Sequence, residues 1–216
     1  QELRIPPPIP GPSGPGFIIL PDSELVFRPA SLAFNLNSFV QSSGGYLSRY
    51  QEVVSEQTLT GAEIVDRISR EYSVNPRLLL ALIEHQSGWV TQSQPKTGLE
   101  EIPIAVLEPW RTGLYRQLAW AANQLNRGYY LWKVNAVATW FLPDSQIVPP
   151  DIRLNAATAG VQNLFSALYD RPAWERAVGA QGLQATYTRL FGDPFTYTLD
   201  DYLPTDLHQP ELRLPF

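Results

Sequence analysis

The chain has 216 residues, of which 44% are hydrophobic, and its formal net charge is −5. This length allows one large domain or two small ones with a substantial core, and the acidic balance excludes the basic footprint of a nucleic-acid-binding protein. With no cysteine and only two histidines, the sequence also excludes disulfides, thiolate metal sites and histidine-rich metal sites.

Both ends of the chain differ from its middle. The first residues, "QELRIPPPIPGPSGPG", are rich in proline and glycine, which predicts an extended linker over residues 1–19. The last, "DYLPTDLHQPELRLPF", show no periodicity, which predicts a second linker over residues 200–216 towards a further domain. A single folded domain is therefore expected over residues 20–199.

Helical signals dominate the first half of this domain. The segments "FNLNSFVQS" and "GGYLSRYQEVV" predict two short helices. Thr60 and Glu63 have the spacing of a capping box at the start of the next helix. Asn75, followed by proline, then caps a helix that runs to residue 86 or 87, with Gly88 suited to a left-handed end.

The second half adds one small β element. A third helix is predicted over Trp110–Asn126, with Gly128 just beyond its end, and "TWFLPDSQIVPP" predicts a hairpin. Further helices are expected from Asn155 to Tyr169, from Pro172, and over Gln181–Phe191. The predicted fold class is thus mostly α, with one small β-hairpin and extended proline-rich tails.

The segment "VNPRLLLALIEHQSGW" resembles the central helix of the lysozyme-like superfamily, in the branch of soluble lytic transglycosylases and goose-type lysozymes. That helix reads Ala-x-Ile-x-x-Glu-Ser-x-Phe/Trp, and Ala81, Ile83, Ser87 and Trp89 occupy the corresponding places. The resemblance covers about residues 20–195. It implies a lysozyme-like helical domain whose partner is the glycan strand of peptidoglycan.

The same resemblance implies a reduced catalytic site. The Glu at the end of the family's helix is the general acid, and Gln86 stands in its place here. An amide cannot protonate a leaving oxygen. The family's later Gly-Leu-Met-Gln signature is only partly matched, by "TGLEE" and "TGLYRQ", in which Gln117 is one residue too far from Gly113.

The surrounding chain resembles bacterial cell-envelope proteins in which a lysozyme-like module precedes a lysostaphin-type zinc endopeptidase. This implies a secreted or cell-envelope location and a catalytic domain on the C-terminal side. No membrane insertion is expected, because the longest apolar run, Leu78 to Ile83, is far shorter than the roughly 20 residues that span a bilayer.

Three carboxylates are candidates for catalysis if any activity remains: Glu84, Glu100 and Glu101. Glu84 lies two residues before Gln86, about 200° around the helix axis, so the two side chains point nearly opposite ways. An exposed Glu84 without a role is the favoured interpretation, and His85 is expected to be a cap or surface residue. Adjacent acids in a loop more often form a solvated surface than the carboxylate pair of a glycosidase.

Six side chains are predicted to bind the ligand, because aromatic rings and amides suit a carbohydrate groove. Any single aromatic residue is nevertheless more often core material. The predicted ligand-binding residues are Gln86, Ser87, Trp89, Trp110, Tyr129 and Tyr130.

Three functions remain open from the sequence. The favoured one is peptidoglycan recognition by a degenerate lysozyme-like module with Gln86 at the catalytic position. The alternatives are an active muramidase or lytic transglycosylase using Glu84 or the Glu100/Glu101 pair, and a spacer domain without a ligand. No cofactor and no metal site are expected in any of these cases.

Overall fold

The computed structural model describes residues 16–196, so most of both predicted linkers lies outside the described residues. Within that range the domain is mostly helical, as predicted, with two small antiparallel hairpins. The helices are α1 (Pro29–Ala33), α2 (Leu36–Ser43), α3 (Gly61–Tyr72), α4 (Pro76–Ser87), α5 (Leu114–Lys133), α6 (Ala156–Ser166), α7 (Arg171–Ala177) and α8 (Leu183–Phe191). The strands are β1 (Gln51–Val54), β2 (Gln57–Thr60), β3 (Trp140–Phe141) and β4 (Ile147–Val148).

The predicted caps of α3 and α4 are confirmed. Thr60 and Glu63 form the reciprocal capping box of α3, which satisfies backbone donors that a helix start leaves without partners. The Asn75 side chain accepts from the backbone amide of Arg77 at the start of α4. Gly88 ends this helix at φ 73°, a conformation that favours glycine.

Helix α4 runs through the centre of the domain. Every residue in it except Arg77 and His85 is buried, including four leucines and Ile83. Each such side chain contributes about 1.5–3 kcal/mol by leaving water, so the helix supplies a large share of the core. It packs against α3 on one side and α8 on another, which fixes the position of its polar C-terminal end.

Helix α5 differs from its prediction at both ends. Residues Pro109–Arg111 form a separate short 3-10 helix, and α5 begins only after Gly113. At the other end the helix continues past Gly128, because that glycine marks a helix crossing rather than a terminus. A Cβ on Gly128 would lie 2.7 Å from the carbonyl oxygen of Ala159, so only glycine lets α6 approach this closely.

The predicted hairpin at residues 140–148 is confirmed, with Trp140 opposite Val148. The other hairpin, β1 with β2, replaces most of a predicted helix. Only Tyr46–Arg49 forms a short 3-10 helix there, and strand β1 follows it at once. The turn between the strands has positive φ at Ser55 and Glu56, as in a two-residue hairpin turn, but lacks the Asn-Gly sequence that usually identifies one.

Residues 17–27 tie distant parts of the domain together. The Ile19 amide donates to Thr158 Oγ1 at 3.0 Å, and Asn155 Nδ2 donates to the Leu20 carbonyl at 2.7 Å, both on the α6 side. Further on, the Asn75 amide donates to the Leu25 carbonyl at 2.8 Å, beside the start of α4. This segment therefore joins α6 to the start of α4 through hydrogen bonds.

Candidate functional site

Gln86, at the end of α4, is held inside the protein. Its side chain is only 6% exposed. Nε2 donates to the carbonyl of Ile104 at 3.0 Å, and Oε1 accepts from the Tyr169 hydroxyl. Burial raises the pKa of that hydroxyl, which keeps it a proton donor. Both polar atoms of the amide are thus satisfied by internal partners.

Gln117, the residue of the second partly matched motif, bonds the same residue, Ile104, through its amide group. Its Oε1 accepts from the amides of Ile104 and Val106, each at 3.2 Å. Its Nε2 donates to the carbonyl of Val106 at 2.9 Å and to that of Arg111 at 2.7 Å. The two glutamines therefore clamp the loop between α4 and α5, and satisfying these buried peptide groups is a structural role.

Glu84 is a buried anchor and not an exposed acid. Its carboxyl group is on a residue that is 5% exposed and accepts from four donors. Oε2 accepts from the amides of Val90 and Thr91 at 3.1 and 3.0 Å. Oε1 accepts from Thr91 Oγ1 at 2.6 Å and from the Arg189 guanidinium at 3.1 Å. Both oxygens of this carboxyl group are thus occupied by internal donors, which is the geometry of a structural acceptor.

His85 and Lys96 complete the end of α4. His85 Nδ1 lies 3.3 Å from Thr186 Oγ1, and the ring packs 5.6 Å from that of Phe165. Burial, with a smaller contribution from Lys96, lowers the pKa of His85 to about 4, so the imidazole is neutral at neutral pH. The cap itself is Lys96, whose Nζ donates to the carbonyls of His85 and Gln86 at 2.9 and 2.8 Å.

Ser87 and Trp89 also face inward. The Ser87 hydroxyl donates to the carbonyl of Ile83 at 2.9 Å. Trp89 is fully buried, and its Nε1 donates to the carbonyl of Leu99 at 3.2 Å. The rings of Tyr46 and Tyr50 both lie 4.8 Å from the indole, measured between centroids. Trp89 therefore supports two tyrosines that border a surface groove.

That groove lies between the β1–β2 hairpin and the start of α5, and has a volume of about 660 Å³. We call it the hairpin groove. It combines aromatic, acidic and basic side chains from three separate parts of the chain. The residues that line it are Tyr46, Tyr50, Glu52, Val53, Val54, Ser55, Glu100, Glu101, Thr112, Gly113, Tyr115 and Arg116.

Glu52 fixes the two sides of the hairpin groove to each other. Its Oε2 accepts from the Tyr50 hydroxyl and from the Tyr115 amide, both at 3.1 Å, and so caps α5 from a neighbouring strand. Burial and the charge of Glu52 raise the pKa of the Tyr50 hydroxyl, which therefore stays protonated. Gly113 is required here, because its φ is 89° and a Cβ would meet Glu52 Oε1 at 2.4 Å.

Glu100 and Glu101 line the hairpin groove and are exposed to solvent. Together with Glu52 they place three carboxylates against one guanidinium, that of Arg116. Arg116 is oriented by a hydrogen bond from its NH1 to the Trp110 carbonyl at 3.2 Å. The lining thus carries tyrosines and more carboxylates than guanidinium groups, and Arg49 and Arg67 lie over the rings of Tyr46 and Tyr115.

The other predicted ligand-binding aromatics lie elsewhere. Trp110 is 66% exposed beside Arg116 but is not part of the groove lining. Tyr129 and Tyr130 sit near the far end of α5, about 22 Å along the helix axis from Tyr115. The structure therefore does not bring the six predicted ligand-binding residues together at one surface.

The sequence matches a known protein family. Residues 18–205 match the family model described as LasA, N-terminal domain. The chain belongs to this family. Comparisons with curated proteins and with solved structures found no match. Among residues 16–196 of this LasA N-terminal domain, none of the helices combines the length and apolar character that a membrane span requires.

The sequence predicted only part of the LasA N-terminal domain's groove. Glu100 and Glu101 were candidates and do line it, whereas Tyr46, Tyr50 and Glu52 were missed because their segment was expected to be helical. One signal could have found the floor of the groove: Gly113 precedes the first periodic residue of α5 without a side chain that could cap it. A helix start of this kind leaves backbone amides for water or for a partner from elsewhere in the chain, which here is Glu52.

Proposed function

We propose that this LasA N-terminal domain binds bacterial peptidoglycan without cutting it, and that the hairpin groove is its binding site. The observation that carries the proposal is the groove itself: tyrosines supported by buried Trp89 stand beside carboxylates and Arg116. Aromatic rings cover flat apolar faces of sugars, and charged groups bind hydroxyl, amine and carboxylate groups of the wall polymer.

The end of α4 supports the proposal that the domain does not cut the polymer. In the lysozyme-like resemblance Gln86 replaces the general acid, and its amide forms hydrogen bonds with Ile104 and Tyr169. Glu84 is engaged by four donors on the other side of the helix. The module is therefore proposed to be a degenerate lysozyme-like domain whose role is recognition.

The proposal also concerns the location of the whole protein and the domain attached to this one. The family is one of secreted proteins, which supports an extracytoplasmic location. A domain that holds the wall polymer would keep an attached catalytic domain close to its substrate, since tethering raises effective concentration. We propose that this partner is a lysostaphin-type zinc endopeptidase on the C-terminal side.

Co-sedimentation with purified, insoluble peptidoglycan tests the binding site. Tyr115→Ala should weaken binding roughly five- to ten-fold, because a buried aromatic contact contributes about 1 kcal/mol or more. Tyr130→Ala is the matched control: the same residue type on the same helix, 56% exposed and far from the groove. Equal loss with both variants, or no binding by the unchanged protein, would refute the proposal.

A turbidity assay on the same peptidoglycan tests the lack of cutting. The unchanged protein should leave the turbidity constant. Clearing that disappears in Glu84→Gln would identify the α4 carboxyl group as the acid. Clearing that disappears in a Glu100→Gln/Glu101→Gln variant would instead place catalysis in the hairpin groove.

A further inference from the structure

We infer that α8 is an acid-sensitive lid: protonation of His85 favours a state in which this helix leaves the end of α4 while the rest of the domain stays folded. The helix packs mainly against α4, and it is the last α-helix among residues 16–196. The segment before it contains Gly179 and Gly182, which suits a hinge. The cavity beside the α4–α8 contact shares no residue with the lining of the hairpin groove, so the inference is independent of the proposed function.

Helix α8 is attached to the domain by a small apolar face and by hydrogen bonds to two carboxylates. Leu183 and Tyr187 are its buried residues, whereas nearly all of α4 is buried. The Tyr187 hydroxyl donates to Glu24 at 2.5 Å, and the Arg189 guanidinium donates to Glu84 at 3.1 Å. An element with so few buried apolar side chains opens at a lower cost than the whole domain.

The His85 imidazole lies where α8 meets α4. Its Nδ1 is 3.3 Å from Thr186 Oγ1 on α8, and its ring is 5.6 Å from that of Phe165 on α6. From α6 it also faces the region of Tyr169, whose hydroxyl donates to Gln86. The charged groups that share a cavity of about 560 Å³ with the imidazole come from α4, the loop after it and α8, and are Glu84, Lys96 and Arg189.

The closed arrangement opposes a positive charge on His85. Glu84 is the acid in the cavity lining, and both of its oxygens already accept from internal donors. The Lys96 ammonium group lies on the His85 carbonyl at 2.9 Å and repels a charged ring. Burial, and to a smaller extent Lys96, therefore lower the pKa of His85 to about 4.

Opening of α8 removes one wall of this site and gives the imidazole to water. The open state then binds a proton with the ordinary histidine pKa of 6.5, and the closed state with a pKa of about 4. Because the open state binds the proton more tightly, acid favours opening between these two values. The opening equilibrium constant should rise roughly twenty-fold between pH 7 and pH 5.

Hydrogen exchange of the full chain between pH 7 and pH 5 tests the inference. Each exchange rate is divided by the rate of an unstructured peptide at the same pH, which gives an opening constant for each segment. The amides of α8 should have larger opening constants than those of α5 and α6, and should gain roughly twenty-fold over this range. If α8 is as well protected as α5 and α6 at every pH, it opens only with the whole domain and the inference is wrong.

Two histidine variants assign the pH dependence. His85→Gln should remove most of the acid-induced exchange of α8. His208→Gln takes away the other imidazole of the chain and should leave that exchange unchanged. Exchange of α8 that does not respond to pH in the unchanged protein would mean that the charged ring turns into the cavity without moving the helix. That result, or a pH response that survives His85→Gln, overturns the inference.

Arg189→Gln separates the attachment of α8 from its pH response. This variant loses a half-exposed contact with Glu84 but keeps the imidazole, so α8 should open roughly two- to five-fold more at each pH with the same pH response. An equal increase in α5 and α6 would show that the variant loosens the whole domain, which contradicts a separate opening of α8. Circular dichroism of each variant confirms that it is folded before its exchange is interpreted.

Discussion

At the scale of single residues, a substitution at Gln86 should change the free energy of unfolding of the domain. Gln86→Glu keeps the shape of the side chain but removes the donor to the Ile104 carbonyl. Only the protonated acid can replace that donor while accepting from Tyr169, so burial should raise the pKa of the new carboxyl group. The substitution should cost about 1–3 kcal/mol of stability at neutral pH.

The pH dependence of this variant follows from the sign of the shift. Because the folded-state pKa is raised above the value of about 4.3 for an unfolded Glu, the loss should be small at pH 4 and grow as the pH rises. Urea unfolding between pH 4 and 8 measures it, with Gln181→Glu at an exposed position as the matched change. A loss that does not vary with pH would show that the new side chain turns out to solvent.

His85 should make the domain sensitive to mild acid. Its pKa is about 4 in the folded protein, against the ordinary histidine value of 6.5, so the unfolded chain binds more protons between these values. Stability should therefore fall as the pH decreases from about 6.5 to about 4, by at most about 3 kcal/mol. The carboxyl groups with lowered pKa, such as Glu63 and Asp151, lose their contribution only at still lower pH.

Urea unfolding at a series of pH values between 4.5 and 7 checks this expectation. His85→Gln removes the titrating group while keeping a polar atom near Thr186. The slope between pH 5 and 6.5 should be much smaller in this variant. An unchanged slope would mean that another group titrates in this range.

At the scale of elements, the crossing of α5 and α6 depends on two glycines, Gly128 on α5 and Gly160 on α6. Gly→Ala inside a helix normally adds about 0.5–1 kcal/mol of stability. At Gly128, however, the new Cβ would lie 2.6 Å from Asn163 Cβ and 2.7 Å from the Ala159 carbonyl oxygen. Overpacking of this kind costs about 1–3 kcal/mol, so Gly128→Ala should destabilise the domain.

Thermal or urea unfolding measures this effect. The control is Asn123→Ala at an exposed position of the same helix, which should be neutral or slightly stabilising. If Gly128→Ala is as stable as the control, α5 and α6 must be able to separate by a few tenths of an ångström without loss of packing.

The sequence predicted elements wherever the signal is local. The caps of α3 and α4 depend on residues within one helical turn, and both are confirmed. Gly128 was misread as a helix end because the same residue also permits a close helix crossing, which depends on α6. The β1–β2 hairpin was missed because its turn residues, Ser55 and Glu56, are not typical of a two-residue hairpin turn.

At the scale of the whole molecule, the groove could not be predicted because no local pattern contains it. Glu52 meets the amide of Tyr115 across 63 positions of the chain, and Tyr50 meets the amide of Leu114 across 64. Trp89, predicted to contact the ligand, instead supports the tyrosines of the wall from behind. Residue types can suggest a carbohydrate site, but which of them share a surface depends on how distant segments pack.

The segment that joins α4 to α6 also imposes an order on synthesis. Ile19 is bound by Thr158, 139 positions later in the chain, so this residue can reach its final place only after α6 has emerged. Until then the buried side chains of Ile19, Leu20 and Leu25 have no completed core to enter. The growing chain therefore carries this apolar surface exposed until α6 has been made, and exposed apolar surface of this kind promotes aggregation.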